Sequence, residues 1–191
     1  MAPVRVGGVV LEATMGIGFS QYPDDPAIRR RPGLVVEYTV QNSGTQTLVA
    51  LDRVPDTLGS ATLPDEVDPE HAWVFRSGDV LVVSKQGFAP RASFVAAPVI
   101  GAREIPPDGT LTGRAVVDVP AQLDVPGAEF TAPRGPVDAE DASRWQFCIQ
   151  VVPSPAGATV SANDPKVLAV PFTAPKPEEL LCTAATPLTL P

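Results

Sequence analysis

From residue 34 to residue 41 the chain alternates. Leu34, Val36, Tyr38 and Val40 point one way, while Val35, Glu37, Thr39 and Gln41 point the other. A period of two over β-branched and aromatic residues predicts a β-strand. Asn42-Ser43-Gly44 follows, and Asn and Gly tolerate the positive φ that tight turns demand. Residues 45–53 are therefore expected to return as the second strand of a hairpin, stopped by Pro55 and Gly59.

Other segments carry the same period. Residues 4–13 predict a first strand, bent at Gly7-Gly8, and 14–32 an irregular connection with a bulge or tight turn at Gly16–Gly18. Val74-Phe75, 79–84 and 91–97 are shorter candidates. Residues 110–119 set Leu111, Gly113, Ala115 and Val117 against Thr112, Arg114, Val116 and Asp118. Residues 145–152 turn Trp145, Phe147, Ile149 and Val151 inward. Residues 167–172 predict the last central strand, with Pro171 placing its end at an edge or outside the ladder. Helical signals are short: one turn at 138–143, and two at 177–185, where Pro177, Glu178 and Glu179 sit as a first turn prefers. About eight or nine strands without crossover helices predict an all-β chain, a Greek-key β-sandwich with long proline-rich loops. It is expected as one domain over residues 1–191, with a C-terminal extension from about residue 173. The string FTAP at 130–133 and 172–175 has unlike flanks and reads as two similar strand exits.

Composition sharpens this picture. Apolar residues at 44% of 191 support a core, and 23 prolines rule out an all-helical fold. The net charge of −8 argues against nucleic acid and anionic membrane surfaces as partners. The one basic run, Arg29-Arg30-Arg31, follows Asp24 and Asp25. No apolar run approaches the length that spans a bilayer. The opening MAPVRVGGVVLEATMG does not read as a secretory leader, so a cytoplasmic chain and a mature exported one both stay open.

Residues 31–58 resemble the start of the immunoglobulin-like repeats of bacterial surface proteins. The matching residues are Pro32-Gly33, Tyr38-Thr39-Val40, Asn42, Gly44 and Leu51-Asp52, with Pro55 and Leu58 beyond. The resemblance implies an immunoglobulin-like sandwich and a non-catalytic spacer or adhesive module in the cell envelope or outside the cell. Such a module would engage a protein partner or self-assemble, most simply by backbone pairing at an exposed strand edge.

Candidate chemistry is sparse. One histidine, His71, excludes a site with two imidazole ligands. No GxSxG elbow presents a nucleophile, and GIGF lacks the spacing of a phosphate loop. No catalytic residue and no enzyme activity is expected. Asp65, Glu66, Asp68 and Glu70 form an acidic loop whose oxygens suit Ca²⁺ as well as plain solvation. Asp138, Glu140 and Asp141 form a second such group. Trp73 and His71, beside the first loop, are the candidate contacts for a small ligand or carbohydrate, the alternative function. That alternative needs Trp73 exposed beside a concave patch, whereas an interaction module needs it packed down. A Cys148–Cys182 bridge would close a loop of about 35 residues, worth about 3–4 kcal/mol on a chain-entropy estimate. Paired and free thiols both remain open at this level.

Overall fold

The computed structural model describes residues 3–23, 30–55, 63–87, 99–125, 142–171 and 174–188. The chain opens with β1 (Val4–Val6) and β2 (Val9–Phe19), antiparallel about Gly7-Gly8. Gly7 has φ +57°, the left-handed value that the first position of a two-residue hairpin turn takes at no cost in glycine. The expected bent strand is thus two strands folded back on each other. Gly16 and Gly18 form no turn. They continue β2, which pairs along its length with β3 (Pro32–Asn42).

Two sheets face each other. The smaller one adds β8 (Thr110–Asp118) to β3, in the order β1-β2-β3-β8. The larger one contains β4 (Leu48–Arg53), β5 (Trp73–Ser77), β6 (Val80–Lys85), β7 (Val99–Ile105), β9 (Arg144–Pro153), β10 (Thr159–Val160) and β11 (Leu168–Pro171). Its order is β10-β11-β7-β4-β9-β6-β5, with β6 and β9 parallel. Residues 91–97 and 138–143, expected as a strand and a helical turn, lie outside the described residues.

The expected hairpin at 34–53 is overturned, because β3 and β4 belong to different sheets. The turn chemistry at Asn42 serves a crossing. Its buried Nδ2 donates to the carbonyls of Gln46, Ile105 and Pro106, while Oδ1 accepts from the Gly44 N–H. One amide therefore ties the end of the small sheet to the β7–β8 connection, and the chain passes over into the large sheet.

Alternation fills the space between the sheets. Leu34, Val36, Tyr38 and Val40 of β3 and Leu111, Ala115 and Val117 of β8 meet Trp145, Phe147, Ile149 and Val151 of β9. Tyr38 stacks on Phe147 with ring centroids 4.8 Å apart. Gly113 lies under the Tyr38 phenol, where a Cβ would collide with it. The large sheet buries its other face too, through Val49 and Leu51 of β4, Ile100 and Ala102 of β7, and Leu168 and Val170 of β11. Burial on both faces explains why the β4 pattern is less clean than that of β3. β11 lies between β10 and β7, one strand from the sheet edge, and Pro171 pairs with Val99 within the ladder, which corrects the expectation of an end outside it.

The expected helix at 177–185 is also absent. β12 (Leu180–Cys182) and β13 (Thr186–Pro187) pair with β9. Two helical turns cannot repay their own nucleation, whereas β9 offers a ready ladder. The pairing sets Cys182 directly opposite Cys148, and the two form a disulfide. Reducing it frees a loop spanning a separation of 34 residues. The expected result is a loss of about 3–4 kcal/mol, seen as a lower urea midpoint in reductant. An unchanged midpoint would show that the C-terminal strands are held by packing alone.

Candidate functional site

The acidic loop does not converge. Asp65 accepts from the Asn163 N–H at 2.9 Å. Burial opposes ionisation of its carboxyl, but bonds from Ser161 and nearby backbone amides outweigh that and hold it below the usual carboxylate range. Asp68 accepts from Arg31 at 2.9 Å and from the Glu70 N–H at 2.8 Å. Glu70 is buried against Arg114 and caps the N–H groups of Gln21 and Tyr22. Glu66 is exposed. Asp65, Asp68 and Glu70 each face a different partner, so the loop's carboxylates are not gathered on one point. Among the described residues no group of three or more His, Cys, Asp or Glu could hold a metal ion. Asp138, Glu140 and Asp141 lie outside the described residues.

Trp73 is packed down and presents no exposed ring. Trp73 is 1% exposed, packs into the second core and donates its indole N–H to Gln86 O. Its place in β5, beside β6, turns the ring down. His71 meets the Trp73 ring edge-on at 5.2 Å and lies 3.7 Å from Asp124 Oδ2. Its side chain is largely buried.

What sequence reasoning missed is a buried ionic cluster where β4, β7 and β8 meet. Between Ala50 and Arg53 the β4–β7 register shifts by one residue, a bulge. Bulges re-aim side chains. Here Asp52, 1% exposed, points at Tyr38 and Arg103. Its Oδ2 accepts from the Tyr38 hydroxyl at 3.2 Å, from Arg103 Nε at 2.8 Å and from Arg103 Nη2. Arg103 Nη2 also donates to Thr112 O, joining β7 to β8. Lys85, fully buried at the end of β6, donates to Asp52 O at 2.9 Å and Pro69 O at 2.7 Å. Burial lowers its pKa to about 7, with the Asp52 charge opposing and Arg53 assisting. Burial and then the Asp52 charge push the Tyr38 phenol well above 10. Above this cluster opens a cleft of about 510 Å³, whose lining includes Arg30, Arg53, Arg103, Arg114 and Glu70.

A second feature is an open strand edge. β1 covers β2 only from Val9 to Leu11. Beyond it, among the described residues, no strand pairs with β2 on that side. Antiparallel pairing alternates the direction of backbone groups. The Val6–Val9 turn closure and the Asn42 N–H to Gly109 O bond fix the phase. Ala13, Met15 and Ile17 therefore turn their N–H and C=O outward. Ile17 and Phe19 are 57% and 58% exposed, unlike the other large apolar residues of the inward face. No protein-family model matches the chain, and no curated protein or solved structure shows significant similarity to it.

Proposed function

We propose that the chain is a non-catalytic, immunoglobulin-like β-sandwich module that works by strand addition at the β2 edge, with a second copy of itself as partner. The observation that carries this is the stretch Ala13-Thr14-Met15-Gly16-Ile17-Gly18-Phe19: seven residues with no charge and no proline on an edge that, among the described residues, no strand covers. Natural sheets blunt such edges with lysine, proline or bulges, because a long apolar edge recruits another strand. This one is also self-complementary. Antiparallel pairing about Gly16 sets Met15 against Ile17 and Ala13 against Phe19, extending one apolar face across both copies. It keeps the two Glu12 carboxylates at opposite ends. Two glycines without side chains let the backbones approach. The short contact and the charge of −8 on each copy make the association weak and reversible.

The finer family reading is supported by connectivity. In immunoglobulin-like sandwiches strands B and C lie in opposite sheets, as β3 and β4 do within the stretch that carries the resemblance. The parallel β6–β9 pair is a departure from that plan. The disulfide favours an oxidising, extracytoplasmic setting. The small-ligand alternative loses its aromatic platform with Trp73 buried.

Sedimentation equilibrium with amide exchange tests the proposal. Mass should rise with concentration, the Met15 and Ile17 amides should become protected in step, and Ile17→Lys should abolish both without lowering the melting temperature. A monomer at every concentration, with both amides exchanging freely, rejects it.

A further inference from the structure

We propose that the arginine-lined cleft binds a small oxyanion-bearing ligand, a phosphate monoester or a compact carboxylate, and that Arg53 holds it. This is independent of the β2 edge and adds a ligand site to the module.

Four of the 14 basic residues of an acidic chain line this one cleft. Two are matched, Arg103 by Asp52 and Arg114 by Glu70. Arg30 and Arg53 have no carboxylate partner among the described residues. Arg53 is the telling one, because its Nε, like that of Arg114, is buried and makes no hydrogen bond, and unlike Arg114 it has no carboxylate beside it among the described residues. A buried guanidinium donor without an acceptor is costly, and native structures seldom leave one so without a purpose. The β4 bulge ends at Arg53 and sets its Cβ against Gly101, where a second Cβ would not fit. The strand is therefore shaped around this side chain, yet its Nε donates to no acceptor.

Beneath the cleft Lys85 spends its donors on two carbonyl oxygens and adds no negative charge. Set against Asp52 and Glu70, the four arginines give the described lining a positive excess. Planar guanidinium groups recognise phosphate and carboxylate oxygens in pairs, and do so most strongly where water is partly excluded. A volume of about 510 Å³ suits a small molecule. The matched arginines are held in place by their carboxylates, so Arg30 and Arg53 are the groups left to bind.

Calorimetric titration of inorganic phosphate and of citrate into the intact protein, at low salt, tests this. At least one anion should bind saturably with a dissociation constant below about 1 mM, and the tighter of the two identifies the ligand chemistry. Arg53→Gln and Arg30→Gln should each weaken binding about tenfold. Arg144→Gln, whose guanidinium pairs with Asp79 on another part of the surface, should not. If Arg53→Gln lowers the melting temperature, the exposed Arg30→Gln decides alone. No saturation by either anion below about 10 mM, or binding that ignores the decisive arginine, overturns the assignment.

Discussion

Replacing Asp52 with alanine should destabilise the fold by about 3–5 kcal/mol, the range for removing one partner of a buried ion pair. The reason lies in what Asp52 holds. A single carboxylate oxygen accepts from Tyr38 and twice from Arg103, and its charge is the nearest compensation for the wholly buried Lys85. Alanine leaves a phenol hydroxyl and a guanidinium facing a small void, and removes a counter-charge from Lys85, whose bonds to backbone carbonyls remain. Each loses an acceptor or a counter-charge in a medium that cannot replace it. The measurement is the urea midpoint at constant slope. Asp52→Asn keeps the shape and one acceptor, so it should lose less than alanine but still lower the midpoint. In the double variant Asp52→Ala/Arg103→Met, the guanidinium is gone too. The loss should then fall well short of the sum of the single losses. A single-variant loss below about 1 kcal/mol would mean that the cluster is solvated in practice and contributes as a surface pair does.

Much of the framework was legible, and the reasons show where legibility ends. The faces of β3, β8 and β9 followed from alternation, because each has one face on the inter-sheet core and a different environment on the other. That contrast is what a period of two records. β4 lacked it, being buried on both faces. The Asn42-Ser43-Gly44 signal correctly marked a reversal, but turn chemistry does not say which sheet the next strand joins. Only the acceptors of Asn42 at Ile105 and Pro106, some sixty residues on, decide that. The ionic cluster was unreadable for the same reason. Asp52 and Arg103 are 51 residues apart, and Glu70 and Arg114 are 44 apart. No spacing rule links charges across two sheets. The acidic loop was visible as composition, yet composition could not show that its members face different partners. The β2 edge was half legible. Gly16 and Gly18 pointed to a bulge or turn, whereas they keep a strand bare on its open side.

Stability should rise as the pH is raised from about 7 to 10, and Lys85 should be the cause. Its folded pKa is lowered to about 7, first by burial, while an unfolded lysine titrates near 10.4. Below pH 7 the ammonium is charged in both states, and the folded state carries the full cost of a buried cation. Above 7 the folded side chain gives up its proton while the unfolded chain keeps one. The unfolded state then binds more protons, so stability climbs with pH, by up to about 1.4 kcal/mol per unit. The gain is complete once pH passes the unfolded value, and the whole window spans about 4–5 kcal/mol at most. Tyr38 works the other way at the upper end. Burial and the Asp52 charge raise its pKa, so above pH 10 the unfolded phenol ionises while the folded one stays neutral, and stability falls. The two groups place a maximum near pH 10, well above the sequence pI of about 4.6. Urea midpoints measured from pH 6 to 11 check this, with Lys85→Met as the control. The methionine variant should be flat between pH 7 and 10 and still decline beyond, because Tyr38 remains. The same upward slope in both proteins would assign the effect to other groups and leave Lys85 charged in the folded state.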